Sequence, residues 1–473
     1  MASSPSSAAP RWDTKTWSLL AVLCGVLFLD GLDVSMVGMA LPSIGADLHL
    51  TSSQLQWVVS GYVLGYGGLL LLGGRAADLL GRRRVLLVGL TVFLAASAVG
   101  GLVNDGTLLV ITRVLKGMSA AFTAPAGLSI ITTRFAEGPE RNRALSIYTA
   151  TGASGFSLGL VFGGLLTELG WRWVFLLPVP VALAVLLVAR RVIPRDKLIP
   201  GQRRRYDVAG ALTITAAMLL LVRTVVEAPE IGWGAATTVG SFALVAALLA
   251  AFVAIERRAP QPLVRLGILR SGPLVRANLG MAALFGAYVG FQFVGTIYLQ
   301  TVHGWSAVET ALAFLPGGIL VAIGSPRLGP LVDRFGTARI IAVGALAAVI
   351  GYALFLRLDS SPSFVDLMLP TMLLIGTGFA LQFPTLNIQG TAGVADHEQG
   401  LASGLVNTSF QLGGAIGLAI VTAVVSTSAT LDSFRTAIAV VTGIAALGLT
   451  IAIAGLVQSQ EATSARRQLP DAI

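Results

Sequence analysis

The sequence predicts an all-α, polytopic membrane protein in which fourteen transmembrane helices form two pseudo-symmetric six-helix bundles and an extra two-helix hairpin. Hydrophobic residues make up 55% of the 473 residues, charged residues only 12%, and the mean hydropathy is +0.82. Soluble domains carry about 25% charged residues. Apolar runs of about 20 residues, the length that spans a bilayer as a helix, recur fourteen times along the chain. A charged turn in the first half also has a weaker copy in the second half.

The predicted spans are apolar runs separated by short polar turns. They cover residues 17–40, 55–74, 84–104, 107–130, 144–167, 173–192, 207–226, 235–255, 277–300, 308–328, 338–357, 365–388, 401–427 and 435–457. The longest turns have roughly 10 to 20 residues, so we expect no separate domain outside the membrane. An even number of spans places both termini on the same side.

The distribution of positive charge predicts which side that is. Most of the 32 Lys and Arg residues fall in turns on the side of the termini. Six are exceptions, three inside spans and three in opposite turns: Arg113, Lys116, Arg223, Arg172, Arg357 and Arg435. Because cytoplasmic loops are enriched in Lys and Arg, both termini are predicted to be cytoplasmic, in a cell membrane. The net charge of +9 is spread over short turns without aromatic residues between them, so it indicates contact with anionic lipid rather than nucleic acid.

The predicted domains follow from the basic loops. Residues 1–16 form a disordered cytoplasmic tail rich in Ser, Ala and Pro, and 17–195 form the N-terminal bundle. Residues 196–260 contain a linker and the extra hairpin, 261–458 the C-terminal bundle and 459–473 a cytoplasmic tail. The first apolar run is too long for a cleavable signal peptide. Cys24 is the only cysteine, which excludes an intrachain disulfide.

The repeated turn supports two related halves. Gly74, Asp78 and Gly81 in the first copy recur at the same spacing in the second copy, which runs from Gly329 through Asp333. Related halves within one membrane protein are typical of secondary transporters.

Further motifs make the chain resemble the major facilitator superfamily, and most closely its fourteen-span drug:proton antiporter branch. The first span, Leu32 to Pro42, is similar to the LDxTxxNxALP signature of that branch. Other similar stretches are Gln56-Trp57, Arg113 with Gly117, Arg141 to Ala144, Gly155 to Gly164, Trp171 to Phe175, Tyr298 to Gln300 and Gln411 to Gly417. The resemblance covers essentially the whole chain. It implies a central cavity between two bundles, alternating access, a small-molecule substrate and protons as coupling ions; we expect a monomer without a cofactor.

Asp33 and Arg113 are the predicted proton-coupling pair. A charged residue at bilayer depth is costly and indicates function. With about 1.5 Å of rise per residue, Asp33 lies roughly 13 Å and Arg113 roughly 12 Å below the outer ends of their spans, so their depths match. The resemblance places both spans beside the central cavity. The alternative is a purely structural ion pair.

Asp30 is the third predicted proton-coupling residue. Its spacing of three from Asp33 puts the two carboxylates on one helix face. It is either a second proton site, a group that recognises a cation, or an aspartate satisfied by hydroxyl groups or water. Lys116, three residues beyond Arg113, is a candidate for the same cavity.

The charged turn is a predicted conformational latch formed by Gly74, Asp78, Gly81 and Arg82, with Asp333 in the second half. A helix N-terminus favours negative charge through its dipole and unpaired N–H groups. The resemblance implies that the thirteenth span provides this terminus for Asp78 when the cytoplasmic side is closed. The alternative is that Asp78 only determines the turn.

Two further sets complete the predicted site. The first are helix-packing glycines, which either allow close crossings or form a sliding contact: Gly155, Gly159, Gly163, Gly164, Gly413 and Gly417. The second are aromatic and amide residues of the predicted substrate cavity, each of which is either a ligand contact or a packing residue: Tyr288, Gln292, Tyr298, Phe379, Gln382 and Asn387. Arg223 and Glu227, four residues apart, are predicted to form a local pair.

These features predict a proton-coupled antiporter that exports hydrophobic or cationic small molecules such as drugs, antibiotics or toxic metabolites. The alternative is a facilitator or a proton symporter for an endogenous metabolite, because Leu160 stands where the antiporter signature has Pro and the direction of transport stays open. The sequence contains no GxxxxGK[ST] loop for ATP and no cluster typical of a metal site or of hydrolytic catalysis. We therefore expect a protein that is not an enzyme.

Overall fold

The computed structural model describes residues 12–135, 139–194, 207–259, 262, 264, 266–358, 363–394, 399–425 and 430–468, and most of these residues are helical. The long helices of this described part are α1 Thr14–Asp47, α2 Ser52–Leu80, α3 Arg82–Gly100, α4 Gly106–Arg134, α5 Pro139–Leu169, α6 Pro178–Val192, α7 Val208–Ile231, α8 Ala236–Glu256, α9 Gly272–Ile297, α10 Ala307–Gly324, α11 Thr337–Phe355, α12 Leu369–Thr391, α13 Gln399–Val425 and α14 Leu431–Gln468. Short helical segments precede α6, α9, α11 and α12 and follow α9 and α10.

Among the described residues, twelve of these helices are long and apolar enough to cross a membrane. The other two are α2 and α5, which contain 29 and 31 residues. Within α5, the described stretch Ser154–Leu169 is apolar. The protein is thus an all-helical, polytopic membrane protein.

Several helices extend beyond the predicted spans. α1 begins at Thr14 because the Asp13 side chain accepts a hydrogen bond from the backbone N–H of Thr16 and caps the helix. Trp12 donates to Glu140, 2.9 Å away, so α1 and the contact before it begin within the segment predicted as the N-terminal tail. At the other end α14 continues to Gln468, into the segment predicted as a tail. Hydropathy identifies the apolar part of a helix that can lie in the bilayer. It does not identify the polar residues that extend the same helix beyond that part.

Polar caps define where other helices begin. Thr51 and Gln54 form a reciprocal capping box at α2, and Ser306 and Glu309 form another at α10. Asp105 caps α4 in the simpler way, through one hydrogen bond to a backbone N–H. These caps satisfy N–H groups that helix geometry leaves unpaired.

Helix packing in the first part of the chain recurs in the last part. α1 packs on α5, α2 on α4, and α3 on both α4 and α6. Eight helices later, α9 packs on α13, α10 on α12, and α11 on both α12 and α14. The two sets face each other through contacts of α5 with α10 and of α2 with α13.

The hairpin α7–α8 lies beside one of these contacts. α7 packs against both α2 and α13. Gly68 of α2 allows the approach, since a Cβ atom there would lie 2.6 Å from Cδ2 of Leu219. The hairpin therefore adjoins the seam between the two sets of helices.

The two copies of the charged turn share a backbone conformation. Gly81 joins α2 to α3 with φ of 92°, and Gly336 precedes α11 with φ of 77°. Glycine is favoured at both positions because other residues rarely adopt positive φ. The sequence repeat thus corresponds to a repeated turn geometry.

Candidate functional site

A cluster of buried charges joins α1 to α4. The Asp33 carboxylate accepts hydrogen bonds from the Arg113 guanidinium through one oxygen and from the Lys116 ammonium through the other. All three residues are fully or almost fully buried, with relative exposures of 0%, 1% and 0%. Arg113 and Lys116 lie one turn apart on α4, so both reach the same carboxylate. The predicted pair of Asp33 and Arg113 is therefore in contact, and Lys116 is a second cation bound to the same carboxylate.

Neighbouring helices enclose both cations. The Nε of Arg113 donates to the carbonyl oxygen of Val58 at 2.9 Å, and its guanidinium carbon lies 4.9 Å from the centre of the Tyr62 ring. The Lys116 Nζ lies 4.8 Å from the ring centre of Phe93 and 5.2 Å from that of Phe175. Aromatic faces attract cations, so the rings stabilise charges that water does not reach.

Asp30 adds a second buried carboxylate one turn below Asp33. It is 7% exposed, and among the described residues its Oδ2 accepts no hydrogen bond. The charges of Asp33 and Lys116 lie close enough to act on it electrostatically. Asp33 is therefore held by two cations, whereas Asp30 has one oxygen without a described partner.

A cavity of ≈ 40 Å³ lies between the two sets of helices, next to the charged cluster. Its lining includes Gly38 of α1, Tyr62 of α2, Gln292 of α9 and Gln411 of α13. The volume exceeds the roughly 10–15 Å³ that one water needs. The hydroxyl group of Tyr62 and the amide nitrogen of Gln292 are buried without partners among the described residues. Tyr62 thus connects the cavity to Arg113.

Aromatic rings from both sets of helices extend this region. Tyr288 of α9 lies between Phe156 of α5, at 5.7 Å between ring centres, and Phe379 of α12, at 5.3 Å. Phe410 of α13 stacks on Phe285, which lines the cavity. We call these five residues the aromatic cluster. It provides apolar faces next to a few polar groups, as is typical of binding sites for drug-like molecules.

The other predicted cavity residues lie elsewhere. Tyr298 is fully buried between Phe355 and Phe434, away from the central cavity. Gln382 packs against Gly344 of α11 and lines a different cavity within the second set of helices. Asn387 donates to the carbonyl oxygen of Phe383 on its own helix. Of the predicted set, the structure brings together Tyr288, Gln292 and Phe379.

The six predicted packing glycines all lie where another helix approaches closely. A Cβ atom at Gly155, Gly159 or Gly163 would come within 2.0–2.8 Å of α1. At Gly413 and Gly417 it would lie 2.1 and 2.3 Å from carbonyl oxygens of α9. Gly164 differs, because its neighbours Ala307 and Ala311 belong to α10 on the other side of the seam.

The predicted latch residues lie at the two copies of the charged turn. The side chain of Asp78 lies outside the described residues, so its contact with α13 stays a prediction. Gly74 lies near Pro125, Arg82 donates to the Thr133 hydroxyl at 2.7 Å, and Asp333 is exposed. Arg223 and Glu227 form the predicted local pair, with Nε and Oε1 3.0 Å apart.

Sequence reasoning missed the roles of Tyr62, Phe156 and Phe410 in this site. Nothing in their spacing distinguishes them from other aromatic residues of apolar helices. Lys116 has a signal in the sequence, its helical spacing of three residues from Arg113.

Fold and site together define a membrane transporter: a polytopic helical protein with repeated packing, buried ion pairs at bilayer depth and a cavity between its two sets of helices. Residues 23–418 match the sequence profile of the Major Facilitator Superfamily, so the chain belongs to that family and is a transporter rather than an enzyme.

Two relatives and one solved structure illustrate the similarity. The chain is 40% identical over 433 residues to the puromycin resistance protein of Streptomyces alboniger, covering 90% of this chain and 84% of that protein. It is 38% identical over 404 residues to the cephamycin export protein of Amycolatopsis lactamdurans, covering 85% and 83%. A crystal structure of a nucleoside transporter has a similar fold, with a TM-score of 0.66 at 14% identity, covering 92% of this chain and 99% of that chain.

Proposed function

We propose that the protein is a proton-coupled antiporter of the fourteen-span drug branch, which exports hydrophobic or cationic small molecules such as antibiotics by alternating access. The observation that carries the proposal is the buried cluster of Asp33, Arg113 and Lys116, with Asp30 beside it. Ionisable groups inside a membrane are costly and belong to ion pathways in many transporters. The puromycin resistance and cephamycin export functions in the names of two relatives support the substrate class.

The proposed architecture has fourteen spans, with α2 and α5 crossing the membrane beside their partners α4 and α1. The helices α1–α6 and α9–α14 then form two six-helix bundles, and α7–α8 form the extra hairpin, close to the predicted divisions 17–195, 196–260 and 261–458. The recurring packing pattern supports this division. Both termini are cytoplasmic in a cell membrane, as the positive charge of the turns indicates.

Coupling depends on the balance of charge in the cluster. When both carboxylates are ionised, the net charge of the cluster formed by Asp30, Asp33, Arg113 and Lys116 is zero. One added proton makes the net charge positive. A proton on Asp33 weakens its attraction for the two cations, whereas a proton on Asp30 neutralises a carboxylate that forms no salt bridge with a described cation. A ligand shifts a conformational equilibrium only if it binds the two conformations with different affinities. Proton binding therefore drives alternating access if the charged cluster is hydrated in one conformation and closed to water in the other.

Purified protein in liposomes with an imposed pH gradient tests the function. We expect puromycin or a lipophilic cation to be driven against its concentration gradient while protons move the opposite way. Substrate transport that does not depend on the pH gradient would contradict the antiporter and support a facilitator. Movement of substrate and proton in the same direction would support a symporter. Leu160, which stands where the antiporter signature has Pro, favours that alternative.

The substrate is proposed to bind at the aromatic cluster, where Tyr288 and Phe379 face Phe156 across the seam. We expect Phe379→Leu, which keeps apolar bulk but removes the ring, to raise the transport KM for an aromatic substrate about 5- to 10-fold, since aromatic contacts contribute about 0.5–1.5 kcal/mol beyond area burial. Initial rates across substrate concentrations in liposomes measure this.

The control is Phe162→Leu, because Phe162 is 39% exposed on the surface of α5. Its KM should stay at the wild-type value. An unchanged KM for Phe379→Leu, with the protein folded, would place the substrate elsewhere.

A further inference from the structure

A second cavity, of ≈ 190 Å³, lies within the last six helices, away from the seam and the charged cluster. Residues from α9, α11, α12 and α14 line it. One end is polar, with Arg276, Thr337 and Gln389 near the ends of their helices that are predicted to face the cytoplasm. The other end is apolar, with Ile341 and Leu386. The cavity therefore has a polar mouth and a mainly apolar interior.

Arg276 is the charged residue of this lining. Its Nη1 donates to the side-chain oxygen of Gln458 at 2.6 Å, and its Nε is buried without a hydrogen-bond partner among the described residues. No ion pair between Arg276 and a described carboxylate is present. A buried donor without a partner is costly. The Nε of Arg276 is therefore free to donate to a ligand in the cavity, although the side chain as a whole is partly exposed.

Other donors lie around the same mouth. Thr337 and Ala338 form the first turn of α11, which has no side-chain cap, so its first N–H groups are available. Gln382 lines the deeper part of the cavity, one turn beyond Leu386; it is 5% exposed, and its amide nitrogen already donates to the carbonyl oxygen of Gly378. Guanidinium and backbone N–H groups are the donors that proteins use for phosphate.

We infer that this cavity binds the phosphate group of a phospholipid, with the phosphate at Arg276 and the first turn of α11 and the adjoining hydrocarbon along Ile341 and Leu386. The cavity volume is more than ten times the roughly 10–15 Å³ needed by one water, which leaves room for a phosphate group. Basic pockets between transmembrane helices on the cytoplasmic side are known to bind lipid head groups. The apolar interior favours a lipid over free phosphate.

Thermal unfolding of the delipidated, full-length protein in detergent tests the site. Two titrations are compared, one with phosphatidylglycerol and one with inorganic phosphate. We expect phosphatidylglycerol to raise the unfolding temperature of the wild type, and Arg276→Gln to weaken its apparent affinity roughly tenfold or more, as loss of a bidentate contact would. Arg258→Gln is the control, because Arg258 is exposed at the end of α8 and lies outside this cavity. Gln458→Ala removes the partner of Arg276 but keeps its charge, so it should retain binding.

The outcomes separate the sources of phosphate. An Arg276-dependent shift with phosphatidylglycerol alone supports a lipid site, and the same shift with inorganic phosphate identifies free phosphate as a ligand of the same groups. The proposal would be overturned if phosphatidylglycerol raised the unfolding temperature of wild type and Arg276→Gln equally. It would also be overturned if Arg276→Gln and Arg258→Gln lost apparent lipid affinity to the same extent. If Arg276→Gln does not fold, Ala338→Glu serves instead, because its carboxylate would occupy the mouth; an unchanged lipid response of that variant would also overturn it.

Discussion

Asp33→Asn is expected to abolish transport against a gradient and to lower stability at the same time. The substitution leaves Arg113 and Lys116 buried without the carboxylate that holds both. Removing one partner of a buried ion pair costs about 3–5 kcal/mol. We expect the initial rate of proton-driven uptake into liposomes to fall roughly tenfold or more, since the proposed proton site is lost, and thermal unfolding to shift to a lower temperature.

A double variant separates the coupling role from a structural one. Asp33→Asn with Lys116→Met removes one charge of each sign, so the protein should regain much of the lost stability. If Asp33 carries protons, transport stays lost in the double variant. Recovery of proton-driven transport would show that Asp33 forms only a structural pair, which is the alternative reading of the sequence.

Asp47→Asn is the matched control for both measurements. Asp47 pairs with Arg172 at 2.9 Å, but its side chain is 48% exposed. Exposed ion pairs contribute about 0–1 kcal/mol. We therefore expect little change in unfolding temperature or in transport.

The second large effect is expected for Gly413→Ala. The new Cβ would lie 2.1 Å from the carbonyl oxygen of Ala282, so α9 and α13 would have to separate. Overpacking of this kind typically costs about 1–3 kcal/mol and occasionally more, and membrane helices depend on such small-residue contacts. Unfolding temperature and the monodisperse fraction after purification should both fall clearly.

Gly443→Ala is the control, because nothing lies within 4 Å of a Cβ atom at that position of α14. It should be neutral or slightly stabilising, since Ala is favoured over Gly in helices by about 1 kcal/mol. A wild-type unfolding temperature for Gly413→Ala would show that the helices adjust without cost.

Gly164→Ala distinguishes packing from a moving contact. Its Cβ would lie 2.7 Å from that of Ala311 across the seam. If the seam opens during transport, this variant should reduce the transport rate more than it reduces stability. Loss of stability equal to that of Gly413→Ala, without a separate loss of rate, would favour plain packing.

The sequence by itself determined the membrane class, the approximate position of every long helix and the candidate charges. Hydropathy and charge are local properties that add along the chain, so they indicate which segments enter lipid and which residues are costly there. Motifs such as Leu32 to Pro42 indicated the family, and matched depths together with the cavity that the resemblance implies predicted the pairing of Asp33 with Arg113.

The tertiary structure alone decided which face of each helix meets which neighbour. In lipid, residues that face acyl chains are as apolar as residues that face other helices, so the rotation of a helix about its axis leaves little trace in its sequence. For this reason the sequence predicts Tyr298 and Gln382 in the central cavity although they lie elsewhere, and it does not distinguish Phe156 and Phe410. The pairing of Lys116 with Asp33 likewise depends on how α4 is rotated towards α1, which only the packed structure determines.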